Sequence, residues 1–159
     1  MKIDKLHALL VVISPRPTPT GQTNRIPHSS VPIVGETLLH HQIVYLRNQG
    51  ITKLTLLTNS PPRMVEKSLS FAAEIGMKPR WFRLAEPCGI SEALRSVLPL
   101  VYDELFVVLS GNTLFPCDLS ILTKLHHAQR ASATIALKFL AETSRYRTMV
   151  IDSHRRVTA

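Results

Sequence analysis

Three short polar segments, each directly after an apolar run, contain residue types that can bind a phosphate or a metal ion. A glycine lets backbone N–H groups approach a phosphate closely, and hydroxyl or guanidinium groups donate hydrogen bonds to it. An amide or carboxylate oxygen can ligate a cation. The segments are residues 14–30, which include Ser14 and Arg16, residues 85–91, which include Gly89 and Ser91, and residues 110–114, which include Gly111 and Asn112.

Strand and helix patterns alternate along the chain, and this alternation puts the three segments directly after predicted strands. Continuous apolar runs rich in branched residues, such as ALLVVI at 8–13, are typical of buried parallel strands, and three- and four-residue apolar spacing predicts helices. The pattern predicts an α/β fold, a Rossmann-like three-layer sandwich with a mainly parallel sheet, whose ligands bind beyond the carboxyl ends of the strands. Predicted strands cover residues 8–13, 51–58, 80–84, 105–109, 134–140 and 148–152. Predicted helices cover 37–48, 61–75 and 91–98, and a last helix starts at Asp118 or Pro116 and reaches about residue 131.

Composition excludes several classes of protein. The 159 residues are 45% hydrophobic and 19% charged, which indicates one folded domain of ordinary size. Two cysteines, Cys88 and Cys117, favour free thiols and a cytoplasmic protein. The longest N-terminal apolar run is residues 8–13, so we expect neither a membrane span nor a signal peptide. The net charge of +8 is not accompanied by a nucleic-acid-binding motif, so a nucleic-acid partner is not favoured.

Five stretches follow one another in a pattern that extends over most of the chain. They are residues 31–43 (VPIVGETLLHHQI), 48–54 (NQGITKL), 86–94 (EPCGISEAL), 106–112 (FVVLSGN), and 144–157, which starts SRY. In this order and spacing they resemble the motifs of the sugar-1-phosphate nucleotidyltransferases, among them P-V-x-G-K-P-L-L-x-x-x-I, E-P-x-G-T-A-x-A-L and F-x-V-x-x-G-D. The resemblance covers roughly residues 8–157.

The resemblance implies a fold, a reaction and a set of site residues. The fold is that of nucleotide-diphospho-sugar transferases, and the reaction joins a nucleoside triphosphate to a sugar 1-phosphate, releasing pyrophosphate, with Mg²⁺ as cofactor. His28 stands at the position of a family lysine, and Asn112 stands at the position of the family's metal-binding aspartate. The residues implied in nucleotide binding are Ser14, Arg16, Glu86, Gly89, Ser91 and Gly111.

Departures from the family pattern predict impaired catalysis. The glycine-rich phosphate loop is replaced by residues 13–19 (ISPRPTP), and proline has no N–H to donate. His28 is a poor permanent cation at pH 7 because the ordinary pKa of histidine is about 6.5. Asn112 lacks the negative charge that dominates Mg²⁺ binding. Glu92 occupies a position that is usually small or an amide, where a carboxylate is unfavourable beside a phosphate.

Several of these positions allow two interpretations. Gly89 would let a ligand approach the backbone while Ser91 donates to it, or Gly89 would serve a tight strand-to-helix turn with Ser91 as the helix N-cap. Arg16 or Arg25 could supply the basic residue of the first loop, or either is a solvated arginine. Asp118 is interpreted as a residue at the start of a helix rather than a metal ligand.

Three functions stay open at this point. The first is a nucleotidyltransferase-like protein that has lost catalysis and acts as a binding, regulatory or interaction subunit. The second is an active nucleotidyltransferase that forms an NDP-sugar, and the third is a polyanion- or nucleic-acid-binding module. Because the family's domain continues past its S-R-Y motif, we expect residues 1–159 to be a single, N-terminal portion of it. An incomplete sheet predicts a homo-oligomer or a partner subunit.

Overall fold

The computed structural model describes residues 6–13, 28–84, 88–101, 105–114, 116–142 and 148–158. Two short 3₁₀ helices, His28–Ser30 and Leu98–Leu100, accompany the regular elements. The strands are β1 His7–Val12, β2 Pro32–Ile33, β3 Glu36–Thr37, β4 Lys53–Thr58, β5 Lys78–Arg83 and β6 Phe106–Ser110, and the helices are α1 Leu38–Asn48, α2 Pro62–Glu74, α3 Ile90–Val97 and α4 Leu119–Ala128.

The main sheet has four parallel strands in the order β5-β4-β1-β6. The chain moves outward from β1 through β4 to β5 and then returns to the other side of β1 to form β6. Val11 therefore lies beside Leu57 in β4 on one side and beside Ser110 in β6 on the other. Strand order reverses between β1 and β6, and such a reversal opens a crevice at the carboxyl ends of the two strands.

Helices cover both faces of this sheet, as the sequence predicted for an α/β fold. Leu10 and Val12 of β1 pack in one apolar cluster with α1 and α2, while Leu9 and Val11 pack in a second cluster with α3. Alternate residues of β1 thus face opposite helical layers, and every residue of the strand is buried. This arrangement explains why the strand is continuously apolar instead of alternating.

Local chemistry sets the ends of the helices that flank the site. The Thr37 hydroxyl accepts a hydrogen bond from the His40 N–H at 3.2 Å, which caps the start of α1. Gly50 ends the same helix with φ +86°, in the left-handed region that glycine adopts without strain. Pro62 is the first residue of α2, where the missing N–H costs no helical hydrogen bond.

The structure corrects the sequence prediction in three places. The apolar runs at 134–140 and 148–152 were predicted to be strands, but the described residues there form only one isolated bridge, Ile151 to Val157. A strand needs a neighbour for its backbone N–H and C=O groups, and apolar sequence does not supply one. Residues 32–37, in contrast, form the small β2–β3 hairpin that no sequence pattern predicted.

The chain divides into two compact units, residues 1–123 and residues 124–159. The first contains the four-stranded sheet and the hairpin. In the second, the described backbone is mostly irregular, apart from the end of α4 and the Ile151 bridge. None of the helices in the described part of the chain has the length and apolarity needed to cross a membrane.

Candidate functional site

A cavity of about 230 Å³ opens where strand order reverses, at the carboxyl ends of β1 and β6. We call it the switch-point cavity. It brings together parts of all three segments that the sequence placed beyond strand ends. Its walls are formed by Val11, Val12, Ile13, Ser29, Cys88, Gly89, Ile90, Ser110, Gly111 and Asn112.

Gly111 lies where β6 leaves the sheet and is pressed against β1. Its N–H donates to the Val11 carbonyl oxygen at 2.7 Å. A Cβ at this position would overlap Val12 Cγ2 and would stand 3.0 Å from the Val11 oxygen and 3.1 Å from Val12 Cα. Glycine is therefore required here by close contact between two backbones, whether or not a ligand is bound.

Asn112 is exposed on the wall of the cavity. Its Oδ1 accepts hydrogen bonds from Ser110 Oγ at 2.7 Å and from Thr113 Oγ1 at 2.9 Å. The amide oxygen is thus already engaged by two hydroxyl groups of its own loop.

Gln42 of α1 is hydrogen-bonded to the loop that contains Asn112. Gln42 was not singled out as a site residue from the sequence. Its side chain is 2% exposed, and its Nε2 donates to the carbonyl oxygens of Ser110 at 2.8 Å and Thr113 at 2.5 Å. Its Oε1 is buried and has no partner within the described structure. The sequence does contain a signal for Gln42, because this glutamine stands among leucines and an isoleucine on the apolar face of the predicted helix.

Two more polar side chains continue this stripe along α1 and anchor the chain after Asn112. The Tyr45 hydroxyl donates to the Cys117 carbonyl oxygen at 2.5 Å, and Gln49 Oε1 accepts from the Leu119 N–H at 2.9 Å. Burial, together with the hydrogen bond to Cys117, raises the pKa of Tyr45 well above its ordinary value, so this hydroxyl stays a donor. Spacings of three and four residues put Gln42, Tyr45 and Gln49 on one helix face.

The opposite wall of the cavity is more open. Gly89 is the N-cap of α3 with φ −73°, and a Cβ there would meet nothing within 4 Å among the described residues. The interpretation in which a tight turn requires Gly89 and Ser91 caps the helix is therefore wrong, because Ser91 is an exposed residue inside α3. Burial and the nearby Glu92 carboxylate raise the pKa of the Cys88 thiol, which favours its protonated form.

Of the remaining predicted site residues, some lie within the described part of the chain and others lie outside it. His28 begins the 3₁₀ helix that contains the cavity residue Ser29. Ser14, Arg16, Arg25 and Glu86 lie outside the described residues. The interpretation of Asp118 as a helix-start residue is confirmed, because its Oδ1 accepts from the Ser120 N–H at 2.7 Å.

The described residues around Asn112 do not fit a magnesium ion. Mg²⁺ prefers charged carboxylates and free oxygen lone pairs in octahedral geometry. Asn112 offers a neutral oxygen toward which two hydroxyl protons already point. No group of three His, Cys, Asp or Glu residues that could hold a metal occurs within the described ranges.

Comparison with known proteins gives consistent matches. The model of the nucleotidyl transferase family matches residues 21–159. The D-glycero-α-D-manno-heptose 1-phosphate guanylyltransferase of Aneurinibacillus thermoaerophilus is 29% identical over 132 residues, covering 83% of this chain and 57% of that protein. The guanylyltransferase of the same name from Campylobacter jejuni is 31% identical over 128 residues, covering 80% and 55%. The chain thus spans little more than half the length of these relatives.

Solved structures share the fold. HddC from Yersinia pseudotuberculosis, crystallised in complex with GMP-PN, matches with a TM-score of 0.75 and 17% sequence identity, covering 97% of this chain and 68% of that one. A Bacillus anthracis protein described as a glucose-1-phosphate thymidylyltransferase matches with a TM-score of 0.66 and 19% sequence identity. The match covers 79% of this chain and 51% of that one. At such identities the likeness establishes the Rossmann-like α/β fold and no more.

Proposed function

This chain belongs to the nucleotidyl transferase family, and from that premise we propose that it binds a nucleotide or nucleotide-sugar at the switch-point cavity without completing nucleotidyl transfer. It would then act as a binding, regulatory or interaction subunit. The relatives are named as guanylyltransferases, and one solved relative was crystallised with GMP-PN. A guanine nucleotide is therefore the first ligand to test.

One observation carries the proposal of lost catalysis. The family typically uses Mg²⁺, which neutralises the charge that builds up during phosphoryl transfer. Here the residue at the metal position is Asn112, whose oxygen is occupied by Ser110 and Thr113. The described residues that line the cavity offer no charged oxygen to recruit the ion, so the chemical step should be slow while ligand binding survives.

The cavity keeps features that suit a phosphorylated ligand. Gly89 leaves open space at the start of α3, whose first residue, Ile90, lies on the cavity wall. A helix N-terminus carries a partial positive charge and favours anions. Hydroxyl and amide groups of Ser29, Ser110 and Asn112 complete the polar part of the wall.

The experiment is a pyrophosphate-release assay with GTP, Mg²⁺ and either mannose 1-phosphate or the heptose 1-phosphate of the relatives. We expect no release above a protein-free control, together with a GTP-dependent rise in melting temperature. Turnover that is abolished by Asn112→Ala would overturn the proposal and assign catalysis to this position. A matched Asn48→Ala variant, changed at an exposed residue of α1, controls for substitution alone.

We also propose a cytoplasmic location and a homo-oligomer or partner subunit. The support for the first is chemical, because Cys88 and Cys117 are both free thiols. The support for the second is the exposure of large apolar side chains, including Val34 at 96% and Phe139 at 90%. Light scattering on the purified chain tests the assembly, and a monomer at all concentrations would contradict a homo-oligomer.

A further inference from the structure

We infer that Asn112 binds the ligand's phosphate directly through its side-chain N–H groups, so that binding in the switch-point cavity needs no divalent cation, and that Gln42 is the residue that positions Asn112. The inference rests on the proposed function, since it takes a phosphate-bearing ligand as the occupant of this cavity. It goes further by reversing the role of the family's metal position, from holding a cation to holding an anion.

The first step is the orientation of the Asn112 amide. Oδ1 is the amide atom that faces the two hydroxyls, at 2.7 Å from Ser110 Oγ and 2.9 Å from Thr113 Oγ1. The Nδ2 group, with its two protons, makes no hydrogen bond to any described residue and is the end left for a ligand in the cavity that Asn112 lines.

The second step is the chemistry of that exposed group. An amide NH₂ donates hydrogen bonds and repels a cation, whereas a phosphate oxygen is an acceptor that carries charge. The described residues that line the cavity include no Asp or Glu, so no like charge among them opposes a phosphate. Direct phosphate contact with Asn112 is accordingly favoured.

The third step is the control of this orientation by Gln42. Its two donors bind the backbone carbonyls of Ser110 and Thr113, the same two residues whose hydroxyls bind Asn112. Gln42 thus holds the backbone of the loop in place. The backbone positions the hydroxyls of Ser110 and Thr113, and these hydroxyls orient the amide of Asn112. Gln42 is not among the residues that line the cavity, so its role is positioning and not ligand contact.

The test measures GTP binding by calorimetry in EDTA and in Mg²⁺, on the full chain. We expect dissociation constants that agree within about twofold between the two buffers. Asn112→Asp should weaken binding in EDTA by about tenfold or more, because two donors to a charged group are replaced by a like charge. Asn48→Asp, which adds the same charge at an exposed position of α1, should leave both constants unchanged.

The positioning role is tested with Gln42→Met and Thr113→Val. Both should weaken GTP binding in EDTA and should abolish the GTP-induced shift of the Asn112 side-chain NH₂ signals in a ¹⁵N spectrum. Arg47→Met, which breaks a contact between α1 and the Ile75 carbonyl oxygen and does not involve the Asn112 loop, should alter neither. Thr113→Val changes an exposed residue, so it tests the same chain of contacts if Gln42→Met fails to fold.

The outcomes separate the two levels of proposal. If neither GTP nor another nucleoside triphosphate binds in either buffer, the proposed function fails and this inference fails with it. If GTP binds only when Mg²⁺ is present, nucleotide binding stands and the inference alone is overturned. If GTP binds equally in both buffers but Gln42→Met and Thr113→Val leave the Asn112 signals responsive, the positioning role is overturned.

Discussion

The two walls of the switch-point cavity each contain a glycine, and the two glycines have different causes. The anchored wall, which comprises residues 110–114 and 116–119, is bonded to β1, to Gln42 and Tyr45 of α1, and to Gln49, which follows that helix. The open wall, residues 88–91, has room around its glycine. Gly111 is therefore required by architecture, whereas nothing in the described fold requires Gly89. Two glycines that look alike in a motif can thus have different causes, which are backbone packing at Gly111 and, as we propose, ligand access at Gly89.

The largest expected effect tests this contrast directly. Gly111→Ala should lower the free energy of unfolding by about 1–3 kcal/mol, because the added methyl overlaps Val12 and must push two backbones apart. Gly89→Ala, its matched control, should change stability by less than about 0.5 kcal/mol. Urea unfolding measures both. Equal losses in the two variants would show that the walls do not differ as described.

Sequence reasoning succeeded where local pattern and local structure coincide. The run ALLVVI predicted a buried strand, which is β1, and the helix predicted over residues 37–48 is α1, Leu38–Asn48. The positions of Gly89, Gly111 and Asn112 around one cavity followed from the rule for parallel sheets, without side-chain detail.

Sequence reasoning did not predict contacts between distant residues or unusual backbone angles. Gln42 binds partners 68 and 71 residues further along the chain, and no periodicity within α1 indicates which loop it will reach. The β2–β3 hairpin turns through Val34 at φ +50°, a conformation that a β-branched residue rarely adopts and that sequence rules exclude. The strand pattern at 134–140 failed because pairing depends on a neighbour and not on the residues themselves.

A smaller effect is expected from loosening the anchored wall at Tyr45. Tyr45→Phe removes one partly buried hydrogen bond to Cys117 and should cost about 1 kcal/mol at pH 7. Folding raises the pKa of Tyr45 above its ordinary value of 10.0, so the folded state binds more protons than the unfolded state above that pH. The stabilisation is therefore complete below pH 10 and is lost as pH rises beyond it. Urea midpoints of the two proteins should converge in alkali, and a constant difference would contradict this.

The smallest expected effect concerns Glu92, which directly follows the open wall in the sequence and is exposed, so that solvent screens its charge. Glu92→Gln should lower the pKa of Cys88, since the carboxylate contributes to raising it, although burial is the larger cause. The rate of Cys88 alkylation by iodoacetamide at pH 8 should rise by no more than about threefold, because a thiolate reacts and a thiol does not. Peptide mass spectrometry resolves Cys88 from Cys117, whose rate should stay unchanged because it belongs to the anchored wall. A parallel rise at Cys117 would mean that the substitution loosens the fold, and that the two walls are not independent.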